Sequence, residues 1–144
     1  MTIEINNFIG KPRDTKREQK LIKQLRDLPE IDAQDFVNRI LEHDPFLGLF
    51  FAKRVLKEKK FFVGLLGKAV KEADASEIKY WLECCVAKLG FRRVVSLLKN
   101  HFLKYPIGVD KALYWLQTLL PKSEPKSVKM LEELKILVST RAKS

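Results

Sequence analysis

Apolar side chains return at steps of three and four along almost the whole chain, broken by short stretches rich in Pro, Gly or charge. That period belongs to amphipathic helices. It is clearest between residues 75 and 105, where Ile78, Trp81 or Leu82, Cys85, Val86 and Leu89 draw one stripe. Phe91, Val94, Val95, Leu98 and Phe102 draw a second, with Gly90 between the two. Ser76 is the expected N-cap of the first helix, because its hydroxyl can accept from a free first-turn amide. Gly90 is the expected left-handed residue that ends it. Tyr105-Pro106 closes the second, since a residue before proline avoids the helical region. The stretch predicts two antiparallel helices hinged at Gly90.

The same pattern extends in both directions. Residues 1 to 14 lack helical periodicity and predict a flexible arm, whose Ile3, Ile5, Phe8 and Ile9 could dock on the body. A first helix is expected from Thr15 to Leu28, with Leu21, Ile22, Leu25 and Leu28 inward and Pro29 as its stop. Asp32 is expected to cap a second, with Asp35 in its first turn and a stripe of Phe36, Val37, Ile40 and Leu41. Asp44-Pro45 restarts the chain, with Asp44 as N-cap and Pro45 at the first helical position, where its missing amide costs nothing. The third helix (Phe46, Leu47, Leu49, Phe50, Val55, Leu56) is apolar over much of its circumference and is placed inside the molecule.

Lys57-Glu58-Lys59-Lys60 marks a surface turn before a fourth helix with Phe61, Phe62, Leu65, Leu66, Ala69 and Val70. Its Gly64 and Gly67, one turn apart, either admit a neighbouring helix or merely lower helix propensity by about 1 kcal/mol each. A seventh helix is expected from Gly108-Val109-Asp110 to Leu120, and an eighth capped near Ser127 with Val128, Met130, Leu131, Leu134, Ile136, Leu137 and Val138. Residues 121 to 125 form the loop between them, and Ser139 to Ser144 a frayed basic tail. No alternating β-branched stretch bounded by turn signals competes. The expected class is all-α, about eight helices in one domain over residues 15 to 138.

The chain also repeats. Tyr80-Trp81-Leu82-Glu83 returns as Tyr114-Trp115-Leu116-Gln117 at an offset of 34, which also pairs Val94 with Val128, Leu97 with Leu131, Phe102 with Ile136 and Leu103 with Leu137. An offset of 32 pairs Phe62 with Val94, Leu65 with Leu97, Leu66 with Leu98 and Val70 with Phe102. Leu21-Ile22 and Leu28-Pro29 echo Tyr114-Trp115 and Leu120-Pro121 more distantly. Four antiparallel hairpins of 30 to 34 residues, each burying its face against its neighbours, fit a short right-handed α–α superhelix. Over roughly residues 45 to 138 the spacing resembles HEAT- or armadillo-like repeats at the level of architecture. The Leu-Gly step of tetratricopeptide units is missing after both Trp81 and Trp115, and neither hairpin carries the Pro, Asp and Arg positions of HEAT units.

Charge sharpens the picture. The chain has 28 Lys and Arg against 18 Asp and Glu, a net +10, which favours an anionic partner. The cations are segregated. Residues 11 to 26 carry net +5, 27 to 44 net −5 and 53 to 60 net +4, while 88 to 104 hold Lys88, Arg92, Arg93, Lys99 and Lys104 with no acid. In the repeat register Lys60, Arg92 and Lys126 share one position at the start of the second helix of successive hairpins. Cations and free amides there would together receive phosphates or carboxylates. Lys60, Arg92, Arg93, Lys99 and Lys126 are therefore the expected anion- or partner-binding residues, with Asn100 and Lys104 extending the face.

Catalytic chemistry has little support. His43 and His101 lack any Cys/His ligand spacing, so no metal and no cofactor is expected. His43 reads as a helix-end residue and His101 as a half-buried, hydrogen-bonded one. Cys84 and Cys85 lie inside an apolar stripe and read as small buried hydrophobes in a reducing compartment. An enzymatic reading would rest on Glu83 or Asp110 as a buried acid. The Tyr80-Trp81 and Tyr114-Trp115 pairs read as core, one ring of each able to reach the surface, or else as base-stacking platforms. No signal peptide or membrane-length apolar run precedes the domain, so the expected location is the cytoplasm. The leading expectation is a non-enzymatic adaptor that binds an acidic protein surface. A DNA- or RNA-binding module using the same face is the alternative, and dimerisation through the third helix is open.

Overall fold

The structure is a computed structural model that describes residues 12–74 and 76–142. Within them lie eight α-helices: α1 (Thr15–Arg26), α2 (Glu30–His43), α3 (Pro45–Val55), α4 (Lys59–Glu72), α5 (Ile78–Leu89), α6 (Phe91–His101), α7 (Pro106–Leu116) and α8 (Pro125–Ala142). A 3-10 turn, Gln117–Leu119, follows α7, and the described residues contain no strand. The chain is all-α. Residues 1 to 11 of the expected arm lie outside the described residues. The chain divides into two compact units, 1–61 and 62–144, so α4 begins at the end of the first and runs through the second.

In the first unit the Asp14 carboxylate caps α1 by accepting from the amide of Arg17 at 3.2 Å. The helix ends at Arg26, two residues before the expected Leu28, with Asp27 as its C-cap. Pro29 then stands at the N-cap of α2, where Asp32 was expected. The amides of Asp32 and Ala33 donate to the Pro29 carbonyl, which leaves Asp32 inside the first turn rather than at the cap. Asp44 and Pro45 act as expected, the Asp44 carboxylate accepting from the amide of Leu47.

The third helix is buried along Leu47, Leu49, Phe51, Ala52 and Val55, and packs on α1 and α2. Gly48 admits Leu41 of α2, since a Cβ there would stand 2.6 Å from the Leu41 side chain and 2.9 Å from its Cα. Its open side is covered by cations. The Arg54 guanidinium lies 3.7 Å, and that of Arg13 4.7 Å, from the centre of the Phe50 ring. Arg13 also pairs through two bonds with Glu18, a buried carboxylate of this unit. Phe46 remains exposed.

In the second unit Ser76 does not cap α5. The helix begins at Ile78, and the Asp74 carboxylate gathers the amides of Ser76 and Glu77 together with the Ser76 hydroxyl. A carboxylate placed two residues earlier takes over the role assigned to the serine. Gly90 does end α5, with φ 90° and ψ 152°. The positive φ is as expected, but ψ makes this the mirror-extended conformation open essentially to glycine alone, and α6 starts on the next residue. Pro106 opens α7 instead of closing α6, which ends at His101. Tyr105 takes the non-helical conformation that proline demands of its predecessor, and Pro106 then occupies the first helical position as Pro45 does. Gly108 serves contact, not helix initiation, because a Cβ there would collide with the backbone of Val70 in α4. Pro125, not Ser127, opens α8. Ser127 is fully buried and its hydroxyl donates to Glu124 Oε2 at 2.7 Å. The helix continues through Ala142, over residues 139 to 142 where a frayed tail was expected.

Within this unit α5 packs on α6 and α7, and α8 on α6 and α7. Burial tests the repeat register position by position. The offset of 32 holds for three of its four pairs from α4 to α6, with Phe62 and Val94, Leu66 and Leu98, and Val70 and Phe102 buried at both ends, while Leu65 is buried and its counterpart Leu97 only half-buried. The offset of 34 holds from α5 to α7, where Ile78 matches Ala112 and Leu82 matches Leu116. From α6 to α8 it fails: Phe102 is buried while its expected counterpart Ile136 is 64% exposed, and Leu103 is 77% exposed. There the buried positions align at 33, Val94 with Ser127 and Leu98 with Leu131. Among described residues α8 has no later helix to cover it, so only a narrow stripe faces inward. Gly64 faces open space and Gly67 meets only the His101 ring at 3.5 Å, so neither receives a helix backbone.

Candidate functional site

Helix α6 turns Phe91, Val94, Val95 and Leu98 inward, which forces Arg92, Arg93, Ser96, Lys99 and Asn100 outward on the opposite arc. Arg92, Arg93 and Lys99 are exposed, and none joins an ion pair among the described residues. The nearest acids along the chain are Glu83 and Asp110. Lys104 continues the basic run in the turn after the helix, its ammonium 5.5 Å from the Tyr105 ring centre. Unscreened by carboxylates of their own helix, these cations present a positive field to solvent.

Lys60, Arg92 and Lys126 are each the second residue of their helix, α4, α6 and α8, and all three are exposed. None of these helices has an acid in its first turn. The residue two places earlier distinguishes them: Glu58 before Lys60, Gly90 before Arg92 and Glu124 before Lys126. Beside Lys60 the amides of Lys57 and Glu58 already donate to Glu30 Oε1, at 2.9 and 3.1 Å. Burial tends to raise the Glu30 carboxyl pKa, but the donated amides of Glu58 and Lys57 outweigh it and hold the group below its ordinary value. Arg92 and Lys126 sit on helices that pack together, whereas Lys60 belongs to the first unit.

The aromatic pairs divide between inside and outside. Trp81 is buried at 4% exposure, while Tyr80 and Tyr114 are 44% and 66% exposed. Trp115 is half-buried and meets Tyr114 edge-on at 5.0 Å between ring centres. Lys79 links the two helices, its ammonium 6.0 Å from the Tyr80 ring centre and 5.4 Å from that of Trp115. The sequence reading allowed one exposed ring in each pair but missed Lys79. Its only sequence signal was adjacency to Tyr80, and the distance to Trp115 depends on α5 and α7 packing together.

Cys84 and Cys85 are buried thiols outside any disulfide, the Cys85 thiol donates towards the Phe62 carbonyl at 3.6 Å, and burial drives its pKa far up, away from the reactive thiolate. His43 ends α2 and His101 ends α6 beside Tyr105. Glu83 is half-buried and Asp110 exposed. Among described residues no three His, Cys, Asp or Glu side chains converge as a metal site, and no helix is long and apolar enough to cross a membrane. Comparison with protein-family models, curated proteins and solved structures gives no match to the chain.

Proposed function

We propose that this chain is a non-enzymatic interaction protein, a HEAT- or armadillo-like helical repeat whose α6 face binds an acidic protein surface. The observation that carries this reading is the outward arc of α6, with Arg92, Arg93 and Lys99 exposed, unpaired among described residues and far in sequence from any acid. Complementary charge of this kind speeds encounter and selects acidic partners. Lys126 lies exposed at the start of α8, a helix that packs on α6. Lys60 is left out of this face, because it belongs to the first unit and Glu30 already occupies the amides beside it. Packing of alternate helices, α5 on α7 and α6 on α8, supports the repeat reading.

A second reading, nucleic-acid binding, is favoured by the exposed Tyr80 and Tyr114 with Lys79 between rings, since exposed aromatics beside cations stack bases. One experiment separates the two. A Glu-rich peptide and a single-stranded oligonucleotide of equal charge are titrated into the parent and into Arg92→Glu/Arg93→Glu/Lys99→Glu. Tighter peptide binding, lost by more than about tenfold in the triple variant, supports the adaptor. Tighter oligonucleotide binding with a steep salt slope, weakened by Tyr80→Ala/Tyr114→Ala, replaces it with the second reading. Binding of neither at low salt overturns both.

A further inference from the structure

The second unit contains an open cavity of about 250 Å³ whose walls are Val70, Lys71 and Ala73 from α4 and its end, and Lys104, Tyr105, Pro106, Ile107, Gly108 and Lys111 from the α6–α7 turn and α7. Three of its lining residues are lysines and none is an acid. None of Arg92, Arg93 or Lys99 lines it, and of the basic run of α6 only Lys104 does.

Its geometry follows from Gly108. Without a Cβ, the first turn of α7 lies directly against the Val70 carbonyl, which brings Lys71 at the end of α4 and Lys111 one turn into α7 around the same hollow. Lys104, held over the Tyr105 ring, closes a third side. The helix start adds little, because Pro106 has no amide to offer and Val109 already donates to the Tyr105 carbonyl. Three lysines lining one cavity, with no acid among its walls, create an excess of positive charge that water and salt must otherwise balance.

We infer that this cavity binds a phosphomonoester: a dianionic phosphate head between Lys71, Lys104 and Lys111, with a small apolar body against Val70, Ala73, Pro106 and Ile107. The sign of the charge fits: three lysines and no acid line the cavity, and a phosphomonoester carries about −1.5 to −2 at neutral pH. Size fits too, since sites for drug-sized ligands begin at about 300 Å³ and this hollow is smaller and open.

The test uses the full chain labelled with nitrogen-15 and phenyl phosphate as the probe, at low salt and neutral pH. Saturable amide shifts are expected at residues 70–73 and 105–111. The singly charged benzenesulfonate should bind several-fold more weakly. Affinity should rise between about pH 5 and pH 7 as the phosphate loses its second proton near pH 6. Lys71→Gln/Lys104→Gln/Lys111→Gln should weaken binding about tenfold or more, whereas Arg92→Gln/Arg93→Gln/Lys99→Gln should leave it unchanged. If the pocket triple variant is misfolded by circular dichroism, Lys104→Gln alone, exposed in a turn, should still show about a threefold loss. The assignment is overturned by an absence of saturable shifts in these segments, by equal affinity for the two probes, or by retained binding in the pocket variants. Loss in the α6 variant instead of the pocket variants overturns it equally.

Discussion

Three glycines show how one atom changes sign with its surroundings. Gly64 sits in α4 facing open space, so Gly64→Ala should stabilise the chain by about 0.5–1 kcal/mol through helix propensity alone. Gly108→Ala should do the opposite. Its Cβ would strike the Val70 carbonyl and Cα, which are backbone and cannot swing aside, at a cost of about 1–3 kcal/mol. Gly48→Ala should fall on the same side, because Leu41 Cα stands 2.9 Å from the new atom. Urea midpoints of the three variants check these signs, and a stabilising Gly108→Ala would refute the close approach of α4 and α7. The cysteines give another residue-scale test. Burial suppresses the Cys85 thiolate, so labelling by a thiol reagent at pH 8 should be negligible in the native state and should accelerate only with unfolding.

At the scale of elements, the link from Glu30 at the start of α2 to the amides before α4 is the clearest long-range polar contact of the first unit. Glu30→Ala leaves two amides without this acceptor and should cost about 0.5–2 kcal/mol, as loss of a helix cap does. Its pH dependence has a definite sign. A carboxyl held below its ordinary pKa stabilises the fold above the unfolded value, 4.5, and that contribution disappears as pH falls through the folded value. The parent should therefore lose stability on acidification below about pH 4.5 more steeply than Glu30→Gln, measured as urea midpoints between pH 5 and pH 3. Equal slopes would mean that the carboxylate charge is irrelevant to this link. Helix starts show where sequence reading succeeds. Asp44-Pro45 was legible because cap and proline adjoin. Pro106 was read as a closure and Pro125 as the end of a loop, because proline fits an end and a beginning equally. Only the direction of the next turn decides.

For the whole molecule the relevant quantity is net charge. The +10 is divided unequally, with fifteen Lys and Arg against eight Asp and Glu in residues 62–144. Self-repulsion of this size weakens the compact state and is screened by salt. Raising sodium chloride from 0.05 to 0.5 M should leave the melting temperature unchanged or raise it by about a few degrees, while binding to any polyanion falls steeply. A salt-induced fall in melting temperature would instead place net attractive ion pairs in charge of stability. Native-state hydrogen exchange should find one protected set in each unit, around Val37, Ile40 and Phe51 in the first and around Leu66, Leu82 and Leu98 in the second, where side chains are fully buried.

The sequence alone determined the class and most of the helices, because a period of 3.6 and a stripe of apolar residues admit one secondary structure. It also determined which α6 residues face water, since burying Val94, Val95 and Leu98 leaves Arg92, Arg93 and Lys99 outside. Tertiary structure decided the rest. The register of α8 slipped from 34 to 33, because burial depends on which neighbours a helix has and not on its own pattern. The cavity of Lys71, Lys104 and Lys111 was invisible in the sequence: residues up to 41 apart share it only where Gly108 lets α7 rest on the backbone of α4. Periodicity is a local property of the chain, whereas a shared cavity depends on packing between distant segments.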